Sequence, residues 1–232
     1  MAKFSFAQRA FDYFLNDVAR QNLGLIIGLD RAGIVGEDGS THQGLYDVSM
    51  FMMMPNVIVT SPRNMKETIG LFNYACTINK PIVIRYPRKC EIKEEFDYDF
   101  ITNLDWEIIH EGNKLNILGY GTDIEAIKDV CIKNDLDCNV IDCKSIKPID
   151  SKMLDKVFSN NLDILVIEQV ISSGTLYDKI LEFKEEHNYT SKLHKHSFDC
   201  DTIVKHGSLK DVYEYYGFSE SKLLDKIKEV LK

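Results

Sequence analysis

Apolar residues near the start of the chain recur every three or four positions. In "FSFAQRAFDYFLNDVARQN", Phe4, Ala7, Phe11, Phe14 and Val18 share one helical face, which predicts a helix over residues 3–21. The pattern then changes to the continuous apolar run "LGLIIGLD", as in a strand covered on both faces. "LYDVSMFMMM" reads as a short helix, "NVIVTSP" as a second strand, "RNMKETIGLFNYACTIN" as a helix and "PIVIRYP" as a third strand. Alternating strands and helices predict a parallel sheet with crossover helices. From Lys89 to Asp105 the period is lost and charge accumulates, as in a connector. A second series begins near Trp106, with strands at "WEIIH", "LNILGYGT", "CNVIDCKSI", "DILVIEQV" and "KLHKHSF". Helical spacing appears in "DIEAIKDVCIKND", "DSKMLDKVFSNN", "GTLYDKILEFKEEHN" and "SESKLLDKIKEVLK". The expected fold is α/β: two consecutive α/β domains with mostly parallel sheets, at residues 1–95 and 106–232, joined by a linker at 96–105.

Composition narrows what such a fold can bind. The 232 residues are 44% hydrophobic, enough for a substantial core. With 36 acidic against 28 basic residues the net charge is -8, which argues against nucleic acid or acidic membrane as partners. An anionic ligand must then be held by local Arg, Lys or backbone amides. Six cysteines, Cys76, Cys90, Cys131, Cys138, Cys143 and Cys200, form no C-x-x-C pair, and no signal-like leader is read at the start. They are expected as reduced thiols of a soluble cytoplasmic protein, with zinc as the lesser alternative. No apolar stretch approaches the roughly 20 residues of a membrane span.

The candidate chemistry lies where the first strand ends, in "DRAGIVGEDGSTHQG", from Asp30 to Gly44. In parallel α/β sheets, ligands sit beyond the carboxyl ends of the strands. Arg31 offers a planar fork for carboxylate or phosphate, and His42 can exchange a proton near neutral pH. Asp38 can orient a hydroxyl or ring nitrogen. Each also has a structural reading: Arg31 in an ion pair, His42 as a helix-capping loop residue, Asp38 as a turn former. In "VIRYPRKC", Arg85 and Arg88 flank a Tyr-Pro that ends strand pairing. If the strands are parallel, Arg85 and Arg31 emerge at one sheet edge, which suits an anionic substrate. The "HKH" of His194 and His196 reads as structural, as does His206, and Glu168 is expected at a strand end in contact with a neighbouring subunit.

"DRAGIVGEDGSTHQG", "PNVIVTSPRNMKET" and "PIVIRYPR" resemble the pyrimidine-binding domain of the 1-deoxy-D-xylulose-5-phosphate synthase family, transketolase-like enzymes that use thiamine diphosphate. "FAQRAFDYFLNDVARQN" resembles the helix preceding that loop. "LNILGYGT", "CNVIDCKSIKPID", "LVIEQV" and "KHGS" resemble landmarks of the family's carboxyl-terminal domain. The resemblance implies a transferase of isoprenoid and thiamine biosynthesis. It would condense pyruvate with glyceraldehyde 3-phosphate to 1-deoxy-D-xylulose 5-phosphate and CO2, as a cytoplasmic dimer that needs magnesium. It implies Phe6 and Arg9 at the cofactor, Arg31, Asp38 and Arg85 at the substrate, and His42 as the catalytic proton donor or acceptor.

The departures from that pattern set further expectations. The G-D-G motif that binds magnesium and diphosphate is absent, as is the glutamate that protonates the pyrimidine ring, so the first domain is expected to be truncated at its N-terminus. Thiamine diphosphate binding by the chain alone is expected to be weak or absent, and no metal ligand is assigned. The chain would need the missing N-terminal synthase domain or subunit, and a homodimer is expected. Two alternatives stand beside this reading: the β-type subunit of another two-chain thiamine diphosphate enzyme, and a non-catalytic interaction protein of the same fold.

Overall fold

The computed structural model describes residues 2–3, 7–88 and 103–232. Helix α1, residues 8–19, opens as a tight turn at Gln8–Ala10 and passes through Phe11–Tyr13 into a wide π-type run at Phe14–Ala19. The predicted start at residue 3 is corrected, because Ala2–Lys3 is a short strand, β1, paired parallel with β2, Ile26–Asp30. Pairing satisfies backbone groups along the outer edge of β2, which helical periodicity does not reveal.

After β2 come α2 (Asp47–Met52), β3 (Ile58–Thr60), α3 (Met65–Thr77) and β4 (Ile82–Tyr86). Asn64 starts α3 by accepting the Glu67 amide at 2.9 Å. The second series runs β5 (Glu107–His110), β6 (Leu115–Gly119), α4 (Thr122–Lys133), β7 (Cys138–Asp142) and β8 (Ser145–Lys147). It continues with α5 (Ser151–Ser159), β9 (Ile164–Ile171), α6 (Leu176–Glu186), β10 (Leu193–Phe198), α7 (Leu209–Tyr216) and α8 (Glu220–Val230). Helix α7 escapes the sequence reading because Val212 is its one buried residue.

Two five-stranded sheets result, in the orders β1-β2-β4-β3-β8 and β10-β9-β6-β7-β5. Pairing is parallel except that β8 runs antiparallel to β3 and β5 antiparallel to β7. The stretch "CNVIDCKSI", expected as one strand, is two, and they belong to different sheets. Between them the Cys143 amide donates to Gly119 O at 2.7 Å, and Lys144 O accepts from the Ser61 amide at 2.9 Å. The chain therefore stitches the two sheets together. Lys147 on β8 also donates to Met52 O at 2.9 Å and to Met54 O, placing a cation at the carboxyl end of α2.

One hydrophobic core crosses this seam. Phe14, Leu29, Phe51 and Val83 from the first unit belong to the same buried cluster as Trp106, Ile141, Phe158 and Val166 from the second. Separate clusters lie under α3 (Ile58, Leu71, Ile82, Ile84) and between the second sheet and helices α4 and α8 (Ile117, Ile124, Ile127, Ile227). Among the described residues no helix is long and apolar enough to cross a membrane. Five described cysteines are free thiols.

Candidate active site

The register of β2 against β4 sets Leu29 opposite Arg85 and Asp30 opposite Tyr86, so both strands deliver their following loops to one edge. There the Ala32 amide donates to Tyr86 O at 2.9 Å. Gly33 and Gly44 then exchange two backbone hydrogen bonds, at 2.9 and 2.8 Å, and close residues 33–44 into a compact loop. A side chain at Gly44 would put its Cβ 1.9 Å from Arg31 O, so this neck accepts only glycine there. Inside the loop, Gln43 accepts the Val35 amide at 2.7 Å and donates to Gly39 O at 3.0 Å.

Arg31 occupies the left-handed region, φ 71°, which is uncommon for a non-glycine residue. That backbone twist accompanies a charged cluster. Arg31 Nε donates to Asp38 Oδ2 at 2.5 Å, and its Nη1 donates to Asp30. Arg88 Nη1 reaches Asp38 Oδ1 at 2.9 Å, so one carboxylate bridges two guanidinium groups. The hydrogen bond to Asp38 holds Arg31 still more firmly protonated than an ordinary arginine, against partial desolvation. A guanidinium has five N–H donors, so the contacts through Nε and Nη1 do not exhaust Arg31.

Arg85 is placed differently. It is 4% exposed, and donates through Nε and Nη2 to the two oxygens of Asp47, at 2.9 and 3.3 Å. Its guanidinium also lies 5.3 Å from the centre of the Tyr120 ring. Burial works against its charge, but Asp47 more than offsets this and keeps Arg85 protonated. His42 is half-buried at the end of the tight turn Ser40–His42, with Nδ1 2.8 Å from Thr41 Oγ1. Arg9 is exposed on the first turn of α1, and Phe6 lies outside the described residues. The structure thus joins Arg31 and Asp38 with Arg88, and sets Arg85 beneath them against Asp47. Asp47 was not singled out in the sequence because its partner is 38 residues away and no local spacing marks the pair.

Glu168, expected to face a neighbouring subunit, is instead buried within the chain. It accepts from Tyr120 Oη at 2.8 Å and from the Leu176 and Tyr177 amides at 3.2 and 3.0 Å, capping α6. Burial pushes its carboxyl up, while these donors pull it back. His194 pairs with Asp163 at 3.1 Å, and His196 Nε2 lies 2.9 Å from Gly217 O. Among the described residues no group of three or more His, Cys, Asp or Glu side chains converges as a metal site would require.

Residues 2–90 match the family described as "Transketolase, pyrimidine binding domain", and residues 104–223 match "Transketolase, C-terminal domain". The chain belongs to the transketolase family. It is similar to curated proteins named 1-deoxy-D-xylulose-5-phosphate synthase. The Listeria innocua protein is 37% identical and the Geobacillus sp. (strain WCH70) protein 31% identical, each over 98% of this chain. The chain spans 37% of the length of each of these relatives. Among solved structures, a split-gene transketolase described as an inactive beta4 tetramer superposes with a TM-score of 0.85. It is 22% identical, and the match covers 98% of this chain and 74% of that one. Transketolase from Campylobacter jejuni gives a TM-score of 0.76 at 20% identity, covering 98% of this chain and 35% of that one. These likenesses agree with the two-sheet, mostly parallel α/β architecture of this transketolase-family chain.

Proposed function

We propose that this chain supplies the carboxyl-terminal part of a thiamine diphosphate-dependent synthase that condenses pyruvate with glyceraldehyde 3-phosphate, giving 1-deoxy-D-xylulose 5-phosphate and CO2. The observation that carries the reading is the Arg31–Asp38–Arg88 bridge on a closed loop at the carboxyl edge of a parallel sheet. Two guanidinium groups held side by side by one carboxylate are pre-positioned to take the oxygens of a substrate phosphate. The names of the curated relatives point to the same reaction.

The charged side chains gathered at this edge fit an acceptor-substrate corner. Thiamine diphosphate, when bound, supplies the electron sink for decarboxylation. In this chain, Arg31 and Arg88 take the phosphate of the triose, and Asp38 sets their separation. His42, with Nδ1 fixed by Thr41, presents Nε2 to move a proton at the acceptor carbonyl oxygen. Arg85 contributes from beneath, its charge held at the substrate edge by Asp47. Phe6 and Arg9 belong to the cofactor side. The split-gene organisation named for one structural neighbour favours action with a separately made amino-terminal partner, in a multimer.

The test is product formation from pyruvate and glyceraldehyde 3-phosphate, with thiamine diphosphate and magnesium, by this chain alone and mixed with the amino-terminal half. Activity is expected in the mixture alone. Arg31→Met should then raise KM for the triose by about tenfold or more, the scale of one lost charge-assisted hydrogen bond. Folded, associated halves that make no product would favour a non-catalytic interaction protein.

A further inference from the structure

The 33–44 loop is shaped partly by the second unit of the chain. Adjacent residues of a strand point to opposite faces, and on β9 this sends Glu168 to the start of α6 and Gln169 the other way, to the loop. Gln169 Oε1 accepts the Ile34 amide at 3.0 Å, and its Nε2 donates to Asp123 Oδ1 at 2.8 Å. Asp123 lies in the first turn of α4. The Tyr213 hydroxyl, from α7, is also within hydrogen-bond reach of Gln169. Gly33 stands directly over this side chain: a Cβ there would lie 2.8 Å from Gln169 Oε1. Ala32, Gly33, Arg85, Asp123, Gln169 and Tyr213 line a cavity of about 20 Å³, about the space of one water. Farther along, the Ile171 amide donates to Leu45 O at 3.0 Å and fixes the outgoing arm of the loop to the same strand.

We infer that Gln169 is a positioning residue, the strut through which the carboxyl-terminal unit sets the shape of the 33–44 loop, with Asp123 as its seat. The functional meaning of the strut rests on the reading of that loop as the acceptor site; its physical content does not. The single buried amide of Ile34 decides the geometry, because it stands next to the Gly33–Gly44 neck and has its acceptor on the other unit of the chain. Losing the acceptor leaves a buried donor unsatisfied, and the neck then opens more readily.

The seat is also sensitive to pH. The residue is half-buried, but its carboxyl group is turned inward, and burial pushes it up to about 7 against the pull of Arg85. The titratable groups facing it are Arg85 from β4, Tyr120 beyond β6 and Tyr213 from α7. Arg85 and both tyrosines are held above their ordinary values, so none of them titrates near neutrality. His206 stands beside Gly39 at the far end of the loop. In an opened loop the Asp123 carboxyl is hydrated and returns toward its ordinary value near 3.8. The closed form therefore holds its proton more tightly, and opening becomes easier as pH rises. Between pH 6 and 8 those two values give about a tenfold rise in the opening equilibrium.

The test is amide hydrogen exchange on the intact chain, followed in peptides covering residues 30–45, with β7 as the internal reference. Gln169→Met keeps the volume and removes the hydrogen bonds to Ile34 and Asp123. It should speed exchange in the 33–44 segment by about tenfold while β7 stays as in the parent. Unchanged exchange in that segment overturns the proposal. Asp123→Asn retains an oxygen acceptor and cannot titrate, so it serves if the methionine variant does not fold. The parent should show the tenfold pH step after correction for intrinsic exchange, and Asp123→Asn should lose it. A parent without the step, or a variant that keeps it, overturns the assignment. A responsive loop combined with an inactive mixture of halves would remove the catalytic reading and leave the strut standing. An active mixture with an unresponsive loop would remove the strut alone.

Discussion

Replacing Arg85 tests whether a residue that looks like a substrate ligand is first a structural one. Its guanidinium is buried on Asp47, itself 1% exposed, through bonds of 2.9 and 3.3 Å. Arg85→Met keeps much of the aliphatic packing but leaves the Asp47 carboxylate buried without its cation. Breaking such a pair costs about 3–5 kcal/mol, whereas replacing both partners with apolar residues is often near neutral. For a chain of this size, about 2–4 °C per kcal/mol converts the single change to a Tm fall of roughly 6–20 °C. Asp47→Leu should lose a comparable amount. The double variant should lose much less than the sum, with a coupling above about 2 kcal/mol. Urea unfolding followed by fluorescence is suited to the cycle, since the chain has one tryptophan. That residue, Trp106, is 4% exposed and bonded to Ser145 O at 2.8 Å, at the seam between the sheets. A loss below about 1 kcal/mol for Arg85→Met, or additive singles, would refute the structural assignment.

Three further outcomes follow from other contacts. Gly33→Ala must fit a Cβ 2.8 Å from Gln169 Oε1 at φ +75°, so it should cost about 1–3 kcal/mol and speed proteolysis within 33–44; parent-like cleavage would contradict a fixed neck. Glu168→Ala removes the acceptor of two amides at the start of α6 and of Tyr120 Oη, and should cost about 2 kcal/mol in urea unfolding, with Glu168→Gln losing less. Burial and the neighbouring Glu67 push the Asp142 carboxyl well up, so the folded chain binds that proton more tightly than the unfolded chain and loses stability as pH rises above the unfolded value. Asp142→Asn should therefore gain stability relative to the parent at pH 8, with the gain shrinking toward pH 4; an equal difference at both pH values would show that the titration is not the cause.

Most of the fold was legible because its elements bury apolar faces in simple periods. The runs around Ile26, Ile58, Ile82, Leu115 and Ile164 are strands, and the helices between them follow where spacing predicted. The errors lie where tertiary pairing overrides local pattern. "CNVIDCKSI" has no break in hydrophobicity at Cys143 and Lys144, yet those residues cross from one sheet to the other. Ala2–Lys3 became a strand because β2 offered an open edge. At the site, the loop could be read from residue types and its place after a strand, so Arg31, Asp38 and His42 stood out. Their pairing could not. Asp47 and Gln169 meet Arg85 and Ile34 across 38 and 135 residues of chain, distances at which a single sequence leaves no periodic signal.

Those long-range partners change how the chain's two halves relate to its chemistry. Arg63 shows the same arrangement on the other side of the seam. From the loop before α3 it reaches Asp142 at 3.2 Å, Glu107 at 2.8 Å and Glu125 at 3.4 Å, all in the second unit. Lys144, also from the second unit, answers with a 3.5 Å contact to Glu67 on α3. Exposed pairs of this kind contribute little singly, but Glu67 is buried and cannot lose its cations cheaply. The shared apolar core and this ionic network therefore hold the carboxyl edge of the first sheet at a fixed position against β6, β9 and α4. A loop whose neck is bonded to Gln169 can be rigid only if that position is rigid. The second unit is then part of the site's geometry, even though the charged side chains that would touch substrate all come from the first.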